Sequence, residues 1–156
     1  MKINEKMHQP CDLPKIIDVG HDEKMAKRFG SGKMLIAPPI EFDQIMKEVP
    51  KGKLLTVPEI RNNLARKHGA DFTCQLTAGI FVNMVANAAH ERVVNELGDD
   101  TPFWRTLKKD GELNIKYPGG IEEQKMKLED EGHEVIQKGQ RYFVKNFEDK
   151  LWRPQE

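Results

Sequence analysis

The sequence predicts an α+β fold, mainly α: a winged helix-turn-helix domain with a C-terminal β-hairpin and a loosely structured N-terminal arm. Three observations lead there. Apolar residues recur at helical spacing through the middle of the chain, turn formers crowd its start, and two strand-like runs flank Lys138-Gly139-Gln140 near its end. The 156 residues match one domain of roughly 100–200 residues.

Residues 1–36 carry few periodic apolar positions and read as the arm, with a short helix at Asp22–Phe29. The basic run Lys24-Met25-Ala26-Lys27-Arg28-Phe29-Gly30 suits either a phosphate backbone or bulk water. The domain proper is expected over 37–132. Pro38-Pro39 opens a helix, because proline in a first turn loses no needed hydrogen bond. Ile40, Ile45, Met46 and Val49 give it one apolar stripe, and Pro50-Lys51-Gly52 ends it. Leu54-Leu55 is a short extended piece, and Thr56-Val57-Pro58-Glu59 has the form of a capping box. The next helix is expected from Val57 to Lys67, with Ile60 and Leu64 inward and Gly69 at its stop. A turn follows, then Thr73 as the cap of a third helix from Gln75 to Glu96, with Leu76, Ile80, Phe81, Met84, Val85 and Ala88 at helical spacing. Two helices about a glycine-containing turn match a helix-turn-helix, whose second helix reads DNA.

Beyond this pair the character changes. Phe103-Trp104-Arg105-Thr106-Leu107 is strand-like, and Asp110-Gly111 marks a turn. Pro118-Gly119-Gly120 breaks the chain again before a helix from Ile121 to Glu131, stopped at Gly132. Residues 133–156 extend the same domain with a hairpin, Glu134–Gln137 against Arg141–Val144.

Charge gives a mixed message. Twenty-five basic and 25 acidic residues cancel, which argues against binding a polyanion by whole-chain electrostatics. Locally, Lys51, Lys53, Arg61, Arg66 and Lys67 face Glu59 alone, whereas Glu91, Glu96, Asp99 and Asp100 outweigh Arg92. No apolar run approaches the ~18 residues of a membrane span, so no membrane partner is expected. The first residues lack an apolar signal segment, and Cys11 and Cys74 are expected as reduced thiols in the cytoplasm.

Catalytic motifs are scarce. His8 and Cys11 have ligand-like spacing, but a zinc site takes about four ligands, so no metal or cofactor is expected. Cys74 at a helix start is either a dipole-activated thiol or a buried inert one. His8, His21, His68, His90 and His133 suggest no triad. Phe103 and Trp104 either anchor the core or line a pocket, and Arg105 either holds a backbone carbonyl or supports that pocket.

The order of motifs resembles the methylated-DNA–cysteine alkyltransferase family. Gly52-Lys53-Leu54-Leu55-Thr56-Val57-Pro58-Glu59-Ile60 is similar to the segment opening that family's helix-turn-helix, and Thr77-Ala78-Gly79 to the start of its recognition helix. Pro102-Phe103-Trp104-Arg105 stands where the family has Pro-Cys-His-Arg. Asp110-Gly111, Gly119-Gly120-Ile121, Leu128 and Glu131-Gly132 follow in matching order, so the resemblance runs from Ile40 to Gly132.

In that family a histidine and a glutamate activate the motif cysteine, which takes the alkyl group from a flipped guanine. Here Phe103 replaces the cysteine and Trp104 the histidine, while Glu131 matches the glutamate. A phenyl ring has no nucleophilic atom, which excludes alkyl transfer at this position. The resemblance therefore points to the cysteine-less, alkyltransferase-like branch, non-catalytic proteins that bind alkylated guanine in double-stranded DNA and mark it for repair proteins. It departs from that branch as well: the arginine finger aligns near Leu76, and the phosphate-rotating tyrosine with Val57. The implied DNA contacts are Lys51, Lys53, Arg61, Lys67, Leu76, Thr77 and Gly79, and the implied pocket is Phe103, Trp104, Arg105 and Glu131. The alternative is a protein-interaction module on the same scaffold that has lost DNA binding.

Overall fold

A long helix forms the axis of the molecule. The computed structural model describes residues 2–20, 23–97 and 101–154, and the fold is α+β with helices predominating. Helix α5 (Gln75–Val94) contributes Ala78, Val82, Val85, Ala86, Ala88 and Ala89 to the core. These small side chains let neighbouring helices approach closely. Helices α1 (Lys2–His8), α3 (Pro39–Lys47) and α4 (Val57–His68) all pack on it. Phe42, Met46, Ile60 and Leu64 fill the space between them.

The arm is where the expectation fails. Residues 2–20 and 23–36 are not loosely structured: besides α1 they form strand β1 (Lys15–Asp18), helix α2 (Glu23–Phe29) and strand β2 (Lys33–Ile36). Met7, Val19, Met34 and Leu35 are buried. Glu91 accepts the Ile3 and Asn4 backbone amides at 3.1 Å each, so a carboxylate serves the open donors at the start of α1. β2 pairs antiparallel with β1 and parallel with β4 (Phe72–Thr73), which sits just before α5. Sparse apolar spacing hid this unit, because each strand is only four residues long and β1 buries little of its own surface.

Two expected caps also differ. Thr56 is the N-cap residue of α4, yet its hydroxyl makes no cap hydrogen bond. Its backbone belongs to strand β3 (Leu55–Thr56), and Pro58 removes one of the amides such a hydroxyl serves. Glu59 meets Arg66 at 3.6 Å rather than reaching back. Thr73 does not cap α5; its hydroxyl donates to the Arg61 carbonyl at 2.8 Å, and Cys74 holds the N-cap position. Gly69 does end α4, in the left-handed conformation at φ 69°.

The expected strand at Phe103–Leu107 is a 3-10 turn over Phe103–Arg105, with only Thr106–Leu107 extended as strand β5, parallel to β3. Helix α6 (Gly120–Asp130) and the hairpin of β6 (Val135–Lys138) with β7 (Arg141–Val144) match the sequence reading closely. Leu54, Leu107, Leu113, Leu128 and Val144 form a second core beneath them. The C-terminal segment closes on β3, with the Leu54 amide donating to Lys150 and the Trp152 amide to Leu54.

Candidate nucleic-acid interface

A groove of about 880 Å³ runs along the exposed face of α5. Gln75, Leu76, Gly79, Ile80 and Asn83 form one wall, and Lys108, Lys109, Ile115 and Lys116 the other. Val57, Pro58 and Arg61 of α4 line it too, and Arg28 of α2 stands at its edge. Five of the lining residues are cationic and none is acidic. Leu76, Ile80 and Ile115 are 54%, 50% and 67% exposed, unusual for large apolar side chains facing a basic cleft.

Each wall is fixed by identifiable contacts. Gly79 lies in the second turn of α5, and a Cβ there would meet no atom within 4 Å. Glycine in a helix interior costs ~1 kcal/mol relative to alanine, so internal packing does not account for it. The opposite wall is held by Asn114, whose side-chain amide donates to Asn83 Oδ1 at 2.9 Å. Its backbone amide donates to Gln124 Oε1 at 2.8 Å, and its own Oδ1 accepts from the Lys116 amide. Gly111, at φ 82°, lets the chain pass Phe147 where a Cβ would lie 2.6 Å from its ring. Arg61 donates through Nε and a terminal nitrogen to the Thr73 carbonyl at 3.1 and 2.9 Å, so α4 is locked to the segment that starts α5.

The residues expected to touch DNA are thus divided. Arg61, Leu76 and Gly79 line the groove. Thr77 is half-buried, with its hydroxyl turned to the Cys74 carbonyl at 3.4 Å. Lys67 bonds Glu41 at 2.9 Å, beside His68 at 2.7 Å on the same oxygen, and lines a separate cleft of about 380 Å³. Burial raises the Glu41 pKa, but these two partners outweigh it and hold the carboxyl below its usual range. Lys51 and Lys53 are exposed on the turn around Gly52, on the side of Glu131. The local excess of basic residues between Lys51 and Lys67 is not one surface. The cations that do converge, Arg28, Lys108, Lys109 and Lys116, come from segments far apart in the chain, which no local count of charge detects.

Phe103, Trp104, Arg105 and Glu131 come together, but as a packed cluster. Phe103 is buried, with edge-on ring contacts to Trp104 at 5.6 Å and Tyr117 at 5.3 Å. Tyr117 donates to the Thr106 carbonyl at 2.9 Å, and burial raises its pKa far above the phenol range. The Trp104 indole donates to Glu131 at 3.1 Å, and Arg105 donates to both Glu131 oxygens, its shortest contact being 2.7 Å. Arg105 also donates to the Val49 carbonyl at 2.8 Å. Burial pushes the Glu131 pKa up, but Arg105, Trp104 and a Gly52 backbone hydrogen bond overcome this and hold it low. The Lys127 ammonium lies 4.6 Å from the Trp104 ring centre and the Arg105 guanidinium 5.4 Å. The Gln124 amide donates to the Trp104 carbonyl at 3.1 Å. None of the four residues lines either cleft.

The remaining candidates carry no chemistry at this interface. Cys74 is buried with Val19 and Met34, whereas Cys11 is exposed. Among the described residues no group of His, Cys, Asp or Glu is arranged to hold a metal, and His21, Asp22, Asp99 and Asp100 lie outside them. No helix among them is long and apolar enough to cross a membrane.

No protein-family model matches the sequence, and no curated protein matches it. Solved structures do. One is the Schizosaccharomyces pombe Atl1 protein in complex with damaged DNA containing O6-carboxymethylguanine. It is similar over 74% of this chain and 94% of that one, at 23% identity and a TM-score of 0.53. Another, S. pombe ATL in complex with DNA, covers the same shares at 23% identity and a TM-score of 0.48. The first likeness shows that this chain has the Atl1 fold.

Proposed function

We propose that this chain is a member of the alkyltransferase-like branch that binds double-stranded DNA along the groove beside α5 without transferring an alkyl group. One observation carries the reading: the exposed face of a helix, flattened at Gly79 and bearing Leu76 and Ile80, forms a cleft lined by five cations and no acid. Duplex DNA supplies the matching surface, a row of phosphates beside a groove floor of base edges. The fold supports the same reading, since the neighbouring Atl1 structure contains damaged DNA. In this reading α4 and α5 are the helix-turn-helix, and the loop carrying Lys108, Lys109 and Lys116 is its wing.

Chemistry at the motif position stops at binding. The Phe103 ring offers no atom to accept an alkyl group, and Glu131 is committed to Arg105 and Trp104 rather than to a thiol relay. Lesion preference is expected to be small. Phe103 is covered by Tyr117 and Trp104, and cations already approach the Trp104 ring, so neither ring is open to stack on an extruded base. Leu76 can act as an apolar wedge but cannot hydrogen-bond an orphaned cytosine.

Anisotropy titrations on matched duplexes, with and without one O6-alkylguanine, test this. The expected result is micromolar or weaker binding that falls steeply with salt, with a modest preference at most for the lesion. Intact-mass analysis after incubation should show no adduct. No binding at low salt would transfer the case to the protein-interaction alternative. Exposed Val93, Val94 and Leu97 at the far end of α5 favour that alternative, but Glu91 does not, because its carboxylate is used on α1.

A further inference from the structure

We propose that the N-terminal β1–α2–β2 unit is part of the DNA-binding surface, and that Arg28 and Lys24 of α2 hold the phosphate backbone beyond the reach of the helix-turn-helix; this rests on the DNA-binding reading above. Arg28 lines the same groove as Leu76, Ile80 and Lys116, although it lies almost fifty residues before α5 in sequence. Lys24 is four residues earlier on α2, so it shares that helix face one turn away. Both side chains are exposed.

The position of α2 relative to α5 is built in. β2 pairs with β4 in the register Met34 to Phe72 and Leu35 to Thr73, and β4 leads into α5 through Cys74. The Cys74 amide donates to the Leu35 carbonyl at 2.8 Å, and the Asp71 carboxylate accepts the Lys33 amide at 2.8 Å. Gly32, at φ 109°, allows this approach, because a Cβ there would lie 2.6 Å from Asp71 Oδ2. On the inner side Met25 packs with Phe72 against Val19, Met34 and Cys74. The strand that starts α5 therefore also carries α2, and the cations on α2 keep a fixed register to the groove. A charge held rigidly at a groove edge suits a phosphate, which needs position rather than base readout. The unit lengthens the footprint on the duplex without touching the bases.

The test is the slope of log affinity against log salt for the full chain with an undamaged duplex. Removing one phosphate interaction should reduce its magnitude by about 0.9. Arg28→Gln is expected to lower it by about that amount, and Lys24→Gln with Arg28→Gln by more, in variants whose thermal midpoints confirm that they are folded. Arg28→Lys, which keeps the charge, should restore the slope. Lys145→Gln, just after β7 and outside the groove lining, should leave it unaltered. Binding by all variants with the wild-type slope would overturn this assignment while leaving the DNA-binding reading intact. Absence of binding by the wild-type chain at low salt would overturn both.

Discussion

Single residues decide which parts of this surface work outward and which inward. Gly79 works outward: nothing in the fold fills the space beside it, yet it carries the helix penalty of a glycine. Gly79→Ala should therefore raise stability by roughly 0.5–1 kcal/mol while weakening DNA binding. Denaturant midpoints and anisotropy on the same preparations check both halves, and a variant that is both more stable and equally tight would show that nothing approaches this face. Arg105 works inward. Its guanidinium and Glu131 are both largely buried, so Arg105→Leu leaves a carboxylate uncompensated and should cost about 3–5 kcal/mol at neutral pH. Glu131 has a folded pKa below its unfolded value, so its contribution is complete above about pH 4.5 and is lost as pH falls through the folded value. In the variant the lone carboxyl takes up a proton more readily on acidification. The gap between variant and wild type should shrink in acid, and a gap constant from about pH 7 to about pH 4 would contradict the ion pair as its cause.

At the scale of elements, the helices from α2 to α6 and the hairpin were legible because their periodicities are local, whereas α1 was not. The stripe of α3, the Gly69 stop and the β6–β7 pairing follow from residues within a few positions of each other. What escaped depends on distant partners. β2 is defined by β4, nearly forty residues away, and the Phe103 ring packs edge-on against Tyr117 from a later segment. The capping box failed for a related reason. Thr56 has the right residue type, but its backbone is held by β5 and its hydroxyl serves no amide. Thr56→Ala should consequently cost clearly less than the ~1 kcal/mol typical of a deleted cap. A destabilisation of that full size in urea unfolding would place the hydroxyl on a helix amide after all. The site was legible in the same uneven way. Arg61, Leu76 and Gly79 were found from one short stretch, but Lys108, Lys109, Lys116 and Arg28 join them only after folding.

For the whole molecule, zero net charge conceals a segregated one. Cations line the groove beside α5 with no acid among its lining residues, while Glu41, Glu91, Glu112 and Glu131 are drawn into contacts with Lys67, Asn4, Arg141 and Arg105. Neutral overall charge makes long-range attraction weak, so the proposed DNA binding would rely on short-range contacts in the groove and should be sensitive to salt. The proposed function turns on whether duplex DNA occupies this groove. Amide chemical-shift mapping of the labelled chain with a short duplex at low salt tests it most directly. Shifts should concentrate on residues 75–83 and 108–116 and extend to Arg28, with Lys67 and Glu41 unmoved. Shifts confined to the Val93–Leu97 end of α5, or none at saturating duplex, would contradict it.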